Sequence, residues 1–428
     1  MKILLIAYAF PPLLEPQSLR WAYLTRELAD LGHELDVFTI SLPDTYDDLL
    51  YLISPRLRIF RVYPGIIEGL FFRAKSRLLG PDAAFSGVRK SNQFLFLRSL
   101  YRGLRKLSNW LLVPDLRTEW FFFAYGRLRK LIGRHSYDLI LSSHEPGIDH
   151  IFGYLAKRWS GSRWVGDFGD PLVAAYTPGF RRPLDAGLEK FLLRRMDGVI
   201  LTNERLKEKF LGKYPFLRKE KVMAIPQGFK AGPSCAAKDR NRSFTLSYLG
   251  AFYQDFRSPE NFAKALRSLG NLNFTFVLAG RDEAFLKYFH GLDGRFEYKG
   301  LLPHREALAL QRQSDLLVNF ANRQEDQIPG KGYEYLGARK PILQISDGED
   351  EFSLLVKRLN RGLVVRNREK EIADSIKYLH DLWAEDKTGA VFDLSLDAVR
   401  DYSWEVLASK IDRFLQNEIA HRRPGPET

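Results

Sequence analysis

Short apolar runs alternate with longer amphipathic stretches from the first residues of the chain onward. An apolar run covers residues 2–8, a helical pattern follows over 18–31, and a second apolar run covers 34–40. Strands of a parallel sheet are buried on both faces and therefore form nearly continuous apolar runs. Gly32 follows the helical pattern, where a glycine commonly ends a helix. The chain thus begins with a predicted β-loop-α-β unit, whose first loop lies where open α/β sheets bind ligands.

The same alternation continues through two halves of the chain. Further strands are predicted at 57–63, 139–143, 163–166, 198–202 and 221–225, and then at 244–249, 274–279, 296–299, 316–320, 341–345 and 362–365. Residues 230–242 are polar and lack periodicity, as expected of an interdomain linker. We predict the α/β fold class, with two Rossmann-like, doubly wound domains at residues 1–225 and 226–402 that face each other across a ligand-binding cleft. A helix at 403–417 is expected to pack back on the first domain.

The composition of the 428 residues is that of a soluble globular protein, with 45% hydrophobic and 27% charged residues. No apolar run is long enough to predict a membrane span. The apolar run after Met1 is short and lacks a small-residue cleavage site, so we interpret it as a strand and not as a signal peptide. Cys235 is the only cysteine, which excludes a disulfide framework and favours a reducing, cytoplasmic setting.

The net charge of +13 is concentrated in part between Arg73 and Lys106, where nine basic residues accompany the single acid Asp82. From Phe94 onward, apolar and basic positions separate as on an amphipathic helix, which forms part of an insertion at about 66–112. Two interpretations stay open: a helix packed on the core with a solvated basic face, or contact with an anionic membrane surface on its inner side. No recognised nucleic-acid motif accompanies the charge, so nucleic acid is not an expected partner.

The segment from Glu325 to Leu343 reads EDQIPGKGYEYLGARKPIL and combines groups that suit phosphate with groups that suit hydroxyls. Its Pro-Gly-Lys-Gly sequence predicts a turn, and a helix is predicted to restart over Tyr333–Ala338 with its first amides open toward an anion. These amides and Lys331 suit a phosphate, whereas carboxylates such as Glu334 accept hydrogen bonds from vicinal hydroxyls. A nucleotide sugar carries both kinds of group.

An ordered series of motifs resembles the retaining family 4 glycosyltransferases, which have the GT-B fold. The series comprises AYAFPP followed by Arg20, LADLGHELDVFT, YDLILSSHEP and WVGDFGDP, and then VMAIPQGF, YLGAF, GLLPH with Glu306, and IPGKGYEYLGARKPIL. It spans nearly the whole chain and is similar to enzymes of bacterial cell-surface polysaccharide biosynthesis. The resemblance implies a hexosyltransferase-type enzyme that transfers a sugar from a nucleoside-diphosphate sugar to a hydroxyl acceptor, either lipid-linked or on a polysaccharide.

The resemblance also implies roles for two acids of the second half. The acid-x7-Glu motif of the family falls on Asp326 and Glu334. The first acid of the motif contacts the donor sugar, and the second holds the ribose hydroxyls. Asp326 is one methylene shorter than the Glu that the family usually has there, so Glu325 is an alternative sugar contact.

Two cations neutralise the donor diphosphate in the family, and only one of their positions is basic here. That residue is Arg257, whereas the other position is Ala251. Lys331 or Arg281 is expected to supply the missing charge, with Lys331 favoured. Backbone contacts to the diphosphate are expected at Gly250 and Gly330.

In the first half, the resemblance places His144 at the donor sugar, as a hydrogen-bonding or transition-state-stabilising group. The glycine pair that the family has after the Pro-Pro loop is replaced by residues 14–17, Leu-Glu-Pro-Gln. The expected acceptor-side residues are Pro12, Arg20, Asp167 and Asp170.

The expected reaction is a same-face displacement in which the departing diphosphate accepts the proton of the acceptor, because no buried carboxylate is evident as a nucleophile. No cofactor and no metal are expected, because no cluster of His, Cys and carboxylates has ligand spacing. Two alternatives stay open. One is another GT-B enzyme, such as a sugar epimerase or phosphorylase. The other is a catalytically inactive scaffold that serves as a binding or membrane-docking module.

Overall fold

The computed structural model describes residues 1–44, 47–79, 99–103, 116–144, 146–173, 177–232, 243–254, 257–281, 283–292, 294–321 and 328–420. The chain divides into two compact units. Unit 1 contains the described residues up to Pro226 together with those from Trp404 onward, and unit 2 contains those of Gln227–Ser403. The sequence placed this boundary between residues 225 and 226.

Unit 1 is built on a parallel sheet in the order β3-β2-β1-β4-β5-β6-β7. Its strands are β1 Lys2–Ile6, β2 Glu34–Ile40, β3 Arg58–Val62, β4 Leu139–His144, β5 Arg163–Phe168, β6 Gly198–Leu201 and β7 Val222–Ala224. Its first helices are α1 Pro16–Asp30, α2 Ile66–Leu79, α3 Trp120–Arg134, α4 Ile148–Ser160, α5 Arg182–Leu193 and α6 Glu204–Lys213, with 3-10 turns at Leu50–Leu52, Leu116–Glu119 and Lys219–Lys221.

Unit 2 repeats the plan with the order β10-β9-β8-β11-β12-β13, again all parallel. Its strands are β8 Phe244–Leu249, β9 Phe274–Ala279, β10 Phe296–Gly300, β11 Leu316–Phe320, β12 Ile342–Ile345 and β13 Gly362–Val365. Its helices are α7 Glu260–Ser268, α8 His304–Gln313, α9 Gly330–Gly337, α10 Glu351–Arg358, α11 Glu369–Ala384 and α12 Thr388–Val391, with 3-10 turns at Glu283–Phe289 and Asp397–Tyr402.

The strand order reverses direction once in each sheet, between β1 and β4 in unit 1 and between β8 and β11 in unit 2. Such switch points leave a crevice at the carboxyl ends of the strands, where doubly wound sheets bind ligands. Of the predicted site residues, Pro12 lies in the loop after β1, His144 ends β4, and Gly250 and Arg257 lie in the loop after β8. The predicted α/β class, with two Rossmann-like sheets, is confirmed.

The last helix, α13 Trp404–Ala420, belongs to unit 1. The indole ring of Trp404 stacks on Tyr23 of α1 with ring centroids 5.3 Å apart. Further along the helix, Leu407, Ile411 and Leu415 are completely buried in the same core. The C-terminal helix therefore completes the hydrophobic core that β1 and α1 begin.

The basic helix predicted from Phe94 onward lies mostly outside the described residues, although residues 99–103 are helical. On α2, Arg73 is exposed and its guanidinium lies 5.1 Å from the centroid of the Tyr63 ring. Among the helices that the structure describes, none is both long and apolar enough to span a bilayer.

Candidate functional site

The Pro-Gly-Lys-Gly segment begins a helix instead of forming the predicted turn. Helix α9 starts at Gly330 with Pro329 as its N-cap residue, three positions before the predicted start at Tyr333. Gly332 lies in the first turn of α9, where the helix packs tightly. A Cβ on this residue would lie 2.7 Å from the ring of Phe352. The glycine thus permits close packing, and Lys331 and Glu334 lie three positions apart on one face of the helix.

Glu334 is held by two side chains of α8. His304 Nε2 lies 3.0 Å from Glu334 Oε1, and Gln311 Nε2 donates to Glu334 Oε2 over 3.0 Å. The Glu334 side chain is 14% exposed. One carboxylate therefore lies at the surface of unit 2 with its orientation set by α8, although the sequence suggested neither partner.

Lys331 reaches the loop that follows β8. Its Nζ lies 3.9 Å from the centroid of the Tyr248 ring, within cation–π distance. Gly250 has a φ of +158°, and a Cβ on it would lie 2.5 Å from Lys331 Nζ. Only a residue without a side chain leaves room for the ammonium group here. The structure thus brings Lys331 and Gly250 together. The Lys331 ammonium group lies beside the residue that precedes Ala251 in the sequence.

Arg257 lies beside the carboxyl end of β11. Its side chain is largely buried, and Nε donates to the carbonyl oxygen of Ala321 over 3.1 Å. A short antiparallel bridge between Tyr253 and Arg257 positions it. Asp326 and Glu325 lie outside the described residues.

Helix α9 is anchored to the core of unit 2 along its length. The backbone N–H of Leu249 donates to the Tyr335 hydroxyl over 3.1 Å, and burial raises the pKa of this tyrosine. At the helix end, Arg361 Nη2 donates to the carbonyl oxygen of Leu336 over 2.6 Å, and Nη1 donates to that of Asp393. Burial lowers the pKa of Arg361 to about 10. The rigid anchoring fixes the positions from which Lys331 and Glu334 project.

In unit 1, His144 is the last residue of β4 and is buried. Its carbonyl oxygen accepts a hydrogen bond of 2.6 Å from Gln17 Nε2, and its Nδ1 has no partner among the described residues. Its ring lies 5.8 Å from that of His150, centroid to centroid. His144 Nδ1 is thus a buried polar atom without a hydrogen-bond partner at the end of a central strand.

Two of the predicted acceptor-side residues bind each other. Arg20 and Asp167 are completely buried and form two hydrogen bonds of 3.0 Å, and Trp21 Nε1 also donates to Asp167. Arg20 Nη1 donates to the carbonyl oxygen of Pro226 over 2.8 Å. This network joins α1, β5 and the segment after β7. It favours a structural role for both residues over contact with an acceptor, because neither has exposed surface.

Pro12 and Asp170 complete the predicted acceptor side. Pro12 is buried in the first loop and Asp170 is half-buried after β5. In the segment that replaces the family's glycine pair, Glu15 forms an ion pair with Arg117, whose guanidinium lies 5.1 Å from the centroid of the Tyr8 ring. A charged pair therefore lies at the start of α1.

The described residues contain no group of three or more His, Cys, Asp and Glu side chains arranged to hold a metal ion. The groups that the structure does bring together in unit 2 are a cation, a glycine-lined loop end and an oriented carboxylate. The cation and the loop suit a phosphate, and the carboxylate suits a diol.

Several solved structures share this architecture. The Anabaena protein Alr3699/HepE in complex with UDP-glucose shares 13% identity, with a TM-score of 0.61 over 97% of this chain and 100% of that chain. A glycosyltransferase from Rickettsia africae shares 12% identity, with a TM-score of 0.59 over 98% and 99%. A putative UDP-N-acetylglucosamine 2-epimerase from Listeria monocytogenes shares 11% identity, with a TM-score of 0.59 over 99% and 97%. No curated protein matches the chain in sequence.

The two sheets and these neighbours define a protein of the GT-B fold class. Within that class, residues 17–228 match the family described as glycosyl transferase 4-like domain. The match agrees with the resemblance to family 4, and the fold of the whole chain is that of the GT-B class.

Proposed function

We propose that the protein is a retaining, hexosyltransferase-type enzyme that transfers a sugar from a UDP-sugar to a hydroxyl acceptor. The observation that carries the proposal is the placement of Lys331 and Glu334 on one face of α9, beside the loop after β8. The choice of uridine follows the similarity to HepE, which has been solved with UDP-glucose.

Lys331 is proposed to bind the diphosphate together with Arg257. The family has a cation where this chain has Ala251, and the Lys331 ammonium lies beside the preceding residue, Gly250. A cation supplied from α9 would neutralise the same leaving group as one supplied from the loop. Two fixed cations would stabilise the departing diphosphate without a metal, because preorganised charge stabilises a leaving group that gains negative charge.

Glu334 is proposed to bind the ribose hydroxyls, and His144 to bind a hydroxyl of the transferred sugar. In the reaction, the bond from the anomeric carbon to the diphosphate oxygen breaks, and a bond to the acceptor oxygen forms on the same face. The acceptor proton passes to the departing diphosphate, so no protein base is required. Asp326 keeps its proposed role at the donor sugar.

A lipid-linked acceptor of a cell-surface polysaccharide pathway is part of the proposal, with the protein bound peripherally to the cytoplasmic face of a membrane. Helix α2 supports it, because Ile66 and Leu70 are 59% and 57% exposed and are followed on the same helix by exposed Arg73 and Arg77. Apolar side chains flanked by arginines are typical of surfaces that bind anionic lipid.

The diphosphate role is tested by Lys331→Met. We expect turnover of a UDP-sugar to fall by about 10²–10³, which is typical for the loss of one group that stabilises transition-state charge. Lys264→Met is the matched control, since Lys264 is an exposed residue of α7 that pairs with Glu260. Equal activity of the Lys331→Met variant and the control would rule out the assignment of Lys331.

A nucleotide-sugar epimerase is the second candidate, favoured by the shared architecture of the Listeria protein. Incubation with a radiolabelled UDP-sugar in the absence of acceptor separates the candidates, because an epimerase forms an isomeric UDP-sugar and a transferase does not. An absence of any thermal stabilisation by millimolar UDP would favour the inactive scaffold instead.

A further inference from the structure

The carboxylate of Glu334 is hydrogen-bonded by two side chains of one helix, His304 and Gln311 of α8. His304 is the first residue of α8 and Gln311 the eighth, so about two turns separate them and they lie on one face. Both are nearly buried, at 7% and 2% exposure. Because an ionised carboxylate can only accept hydrogen bonds, His304 Nε2 must carry a proton and donate it.

This arrangement leaves a defined set of free acceptor positions. A carboxylate has two acceptor positions on each oxygen. The contact with His304 fills one position on Oε1, and the contact with Gln311 fills one on Oε2. One position is therefore left on each oxygen, which matches the two adjacent hydroxyls of a cis-diol.

We infer that His304 and Gln311 are positioning residues that orient Glu334 for recognition of the ribose diol. The inference rests on the proposed function. In this view the two side chains do not touch the nucleotide. They prevent the carboxylate from rotating, so that its remaining acceptor positions are fixed before the ligand arrives. Their loss would weaken binding through the ribose hydroxyls and spare the contacts with the diphosphate.

The test compares UDP with 2′-deoxy-UDP by titration calorimetry. The dissociation constant of 2′-deoxy-UDP divided by that of UDP isolates recognition of the ribose 2′-hydroxyl, because the diphosphate is common to both ligands. In His304→Leu and in Gln311→Leu, we expect this ratio to fall about three- to ten-fold, the equivalent of roughly one net hydrogen bond. The dissociation constant for 2′-deoxy-UDP should change much less. The His304→Gln variant keeps a donor at a similar reach and should recover most of the wild-type ratio.

The outcomes separate the inference from the function on which it rests. If the wild-type protein binds UDP and both leucine variants keep its ratio, the positioning role is wrong and the function stands. If the wild-type protein binds neither ligand, the UDP-sugar function is wrong, and the ribose role is wrong with it. General damage to the fold would weaken the binding of both ligands equally and leave the ratio unchanged. That result would also contradict the inference.

The hydrogen bond itself has a readout without nucleotide. In a long-range ¹H–¹⁵N spectrum of histidine-labelled protein, the His304 signal, assigned by its loss in His304→Gln, should show a proton on Nε2. It should shift in Glu334→Gln, which keeps the side-chain shape and removes the negative charge. If the chemical shift of His304 does not change in Glu334→Gln, the proposed positioning of Glu334 by His304 is wrong.

Discussion

His150 shows how a single buried residue links the core of unit 1 to pH. Trp164 Nε1 donates to Ser142 Oγ over 2.8 Å, and the Ser142 hydroxyl lies 2.7 Å from His150 Nδ1. The Ser142 proton is thus available to Nδ1, which suits a neutral imidazole. Burial, and secondarily the neighbouring His144, hold the pKa of His150 well below its usual value.

This lowered pKa predicts a loss of stability in mild acid. Below about pH 6.5 the unfolded chain takes up a proton at this histidine and the folded protein does not. Stability should therefore fall as the pH drops below that point, with a slope of up to about 1.4 kcal/mol per pH unit from this residue. Urea unfolding at a series of pH values measures this effect. In His150→Gln, the free energy of unfolding should fall less steeply below about pH 6.5 than in the wild-type protein. The control is His290→Gln, because His290 is exposed. If the free energy of unfolding falls equally steeply with pH in both variants, the role of His150 is contradicted.

At this scale, the sequence identified groups but not their partners. Lys331 and Glu334 were evident because they lie in one short segment, the lysine in a predicted turn and the glutamate in the helix predicted after it. His304 and Gln311 were missed because their contact with Glu334 spans at least 23 positions and leaves no local pattern. For the same reason, Arg20 and Asp167 were assigned to an acceptor when they bind each other across 147 positions.

Among the elements, α9 depends most on a single remote residue. Arg361 is completely buried, and its guanidinium satisfies backbone carbonyl groups at the end of α9 and at Asp393. The Arg361→Met change keeps much of the apolar stem and leaves these carbonyls without their charged donor.

We expect Arg361→Met to lower the free energy of unfolding of unit 2 by about 1–3 kcal/mol per carbonyl group left unpaired. A melting temperature with and without UDP measures both the loss of stability and any loosening of α9. Lys357→Met, at an exposed position on α10, serves as the control. Equal melting temperatures for the two variants would show that α9 does not need this anchor.

Strand positions followed from the sequence because most of the strands are apolar runs that are buried on both faces. β2, β8, β9, β11 and β13 have the predicted bounds, and the other strands differ by one to two residues at an end. The start of α9 was wrong because a Pro-Gly pair favours a turn locally. The tertiary contact with Phe352, which requires Gly332, has no local signal.

For the whole molecule, the decisive feature is that unit 1 is made of two separated stretches of chain. Residues from Trp404 onward complete its core, while unit 2 is inserted between Pro226 and Trp404. The sequence analysis predicted a helix at 403–417 that returns to the first domain, although the apolar pattern of the helix alone does not say which domain it joins.

A chain that ends at Ser403 should therefore damage unit 1 and not unit 2. We expect it to lose the cooperative unfolding of unit 1 and to aggregate, because α1 would expose the surface that Trp404 and Leu407 cover. The milder Trp404→Ala change should cost about 3–5 kcal/mol. Differential scanning calorimetry measures both, with a chain shortened by residues 421–428 as the control. Intact unfolding of unit 1 in the chain that ends at Ser403 would contradict the role of α13.

The position of α13 also sets an order of events during synthesis. The ribosome completes β1 to β7 early, but the helix that covers them emerges only after all of unit 2. At roughly 5–20 residues per second, the nascent first unit waits about ten to forty seconds with an uncovered apolar face. Unit 2, whose residues are contiguous, can fold within that interval, so the domain that is translated second is the first to be completed.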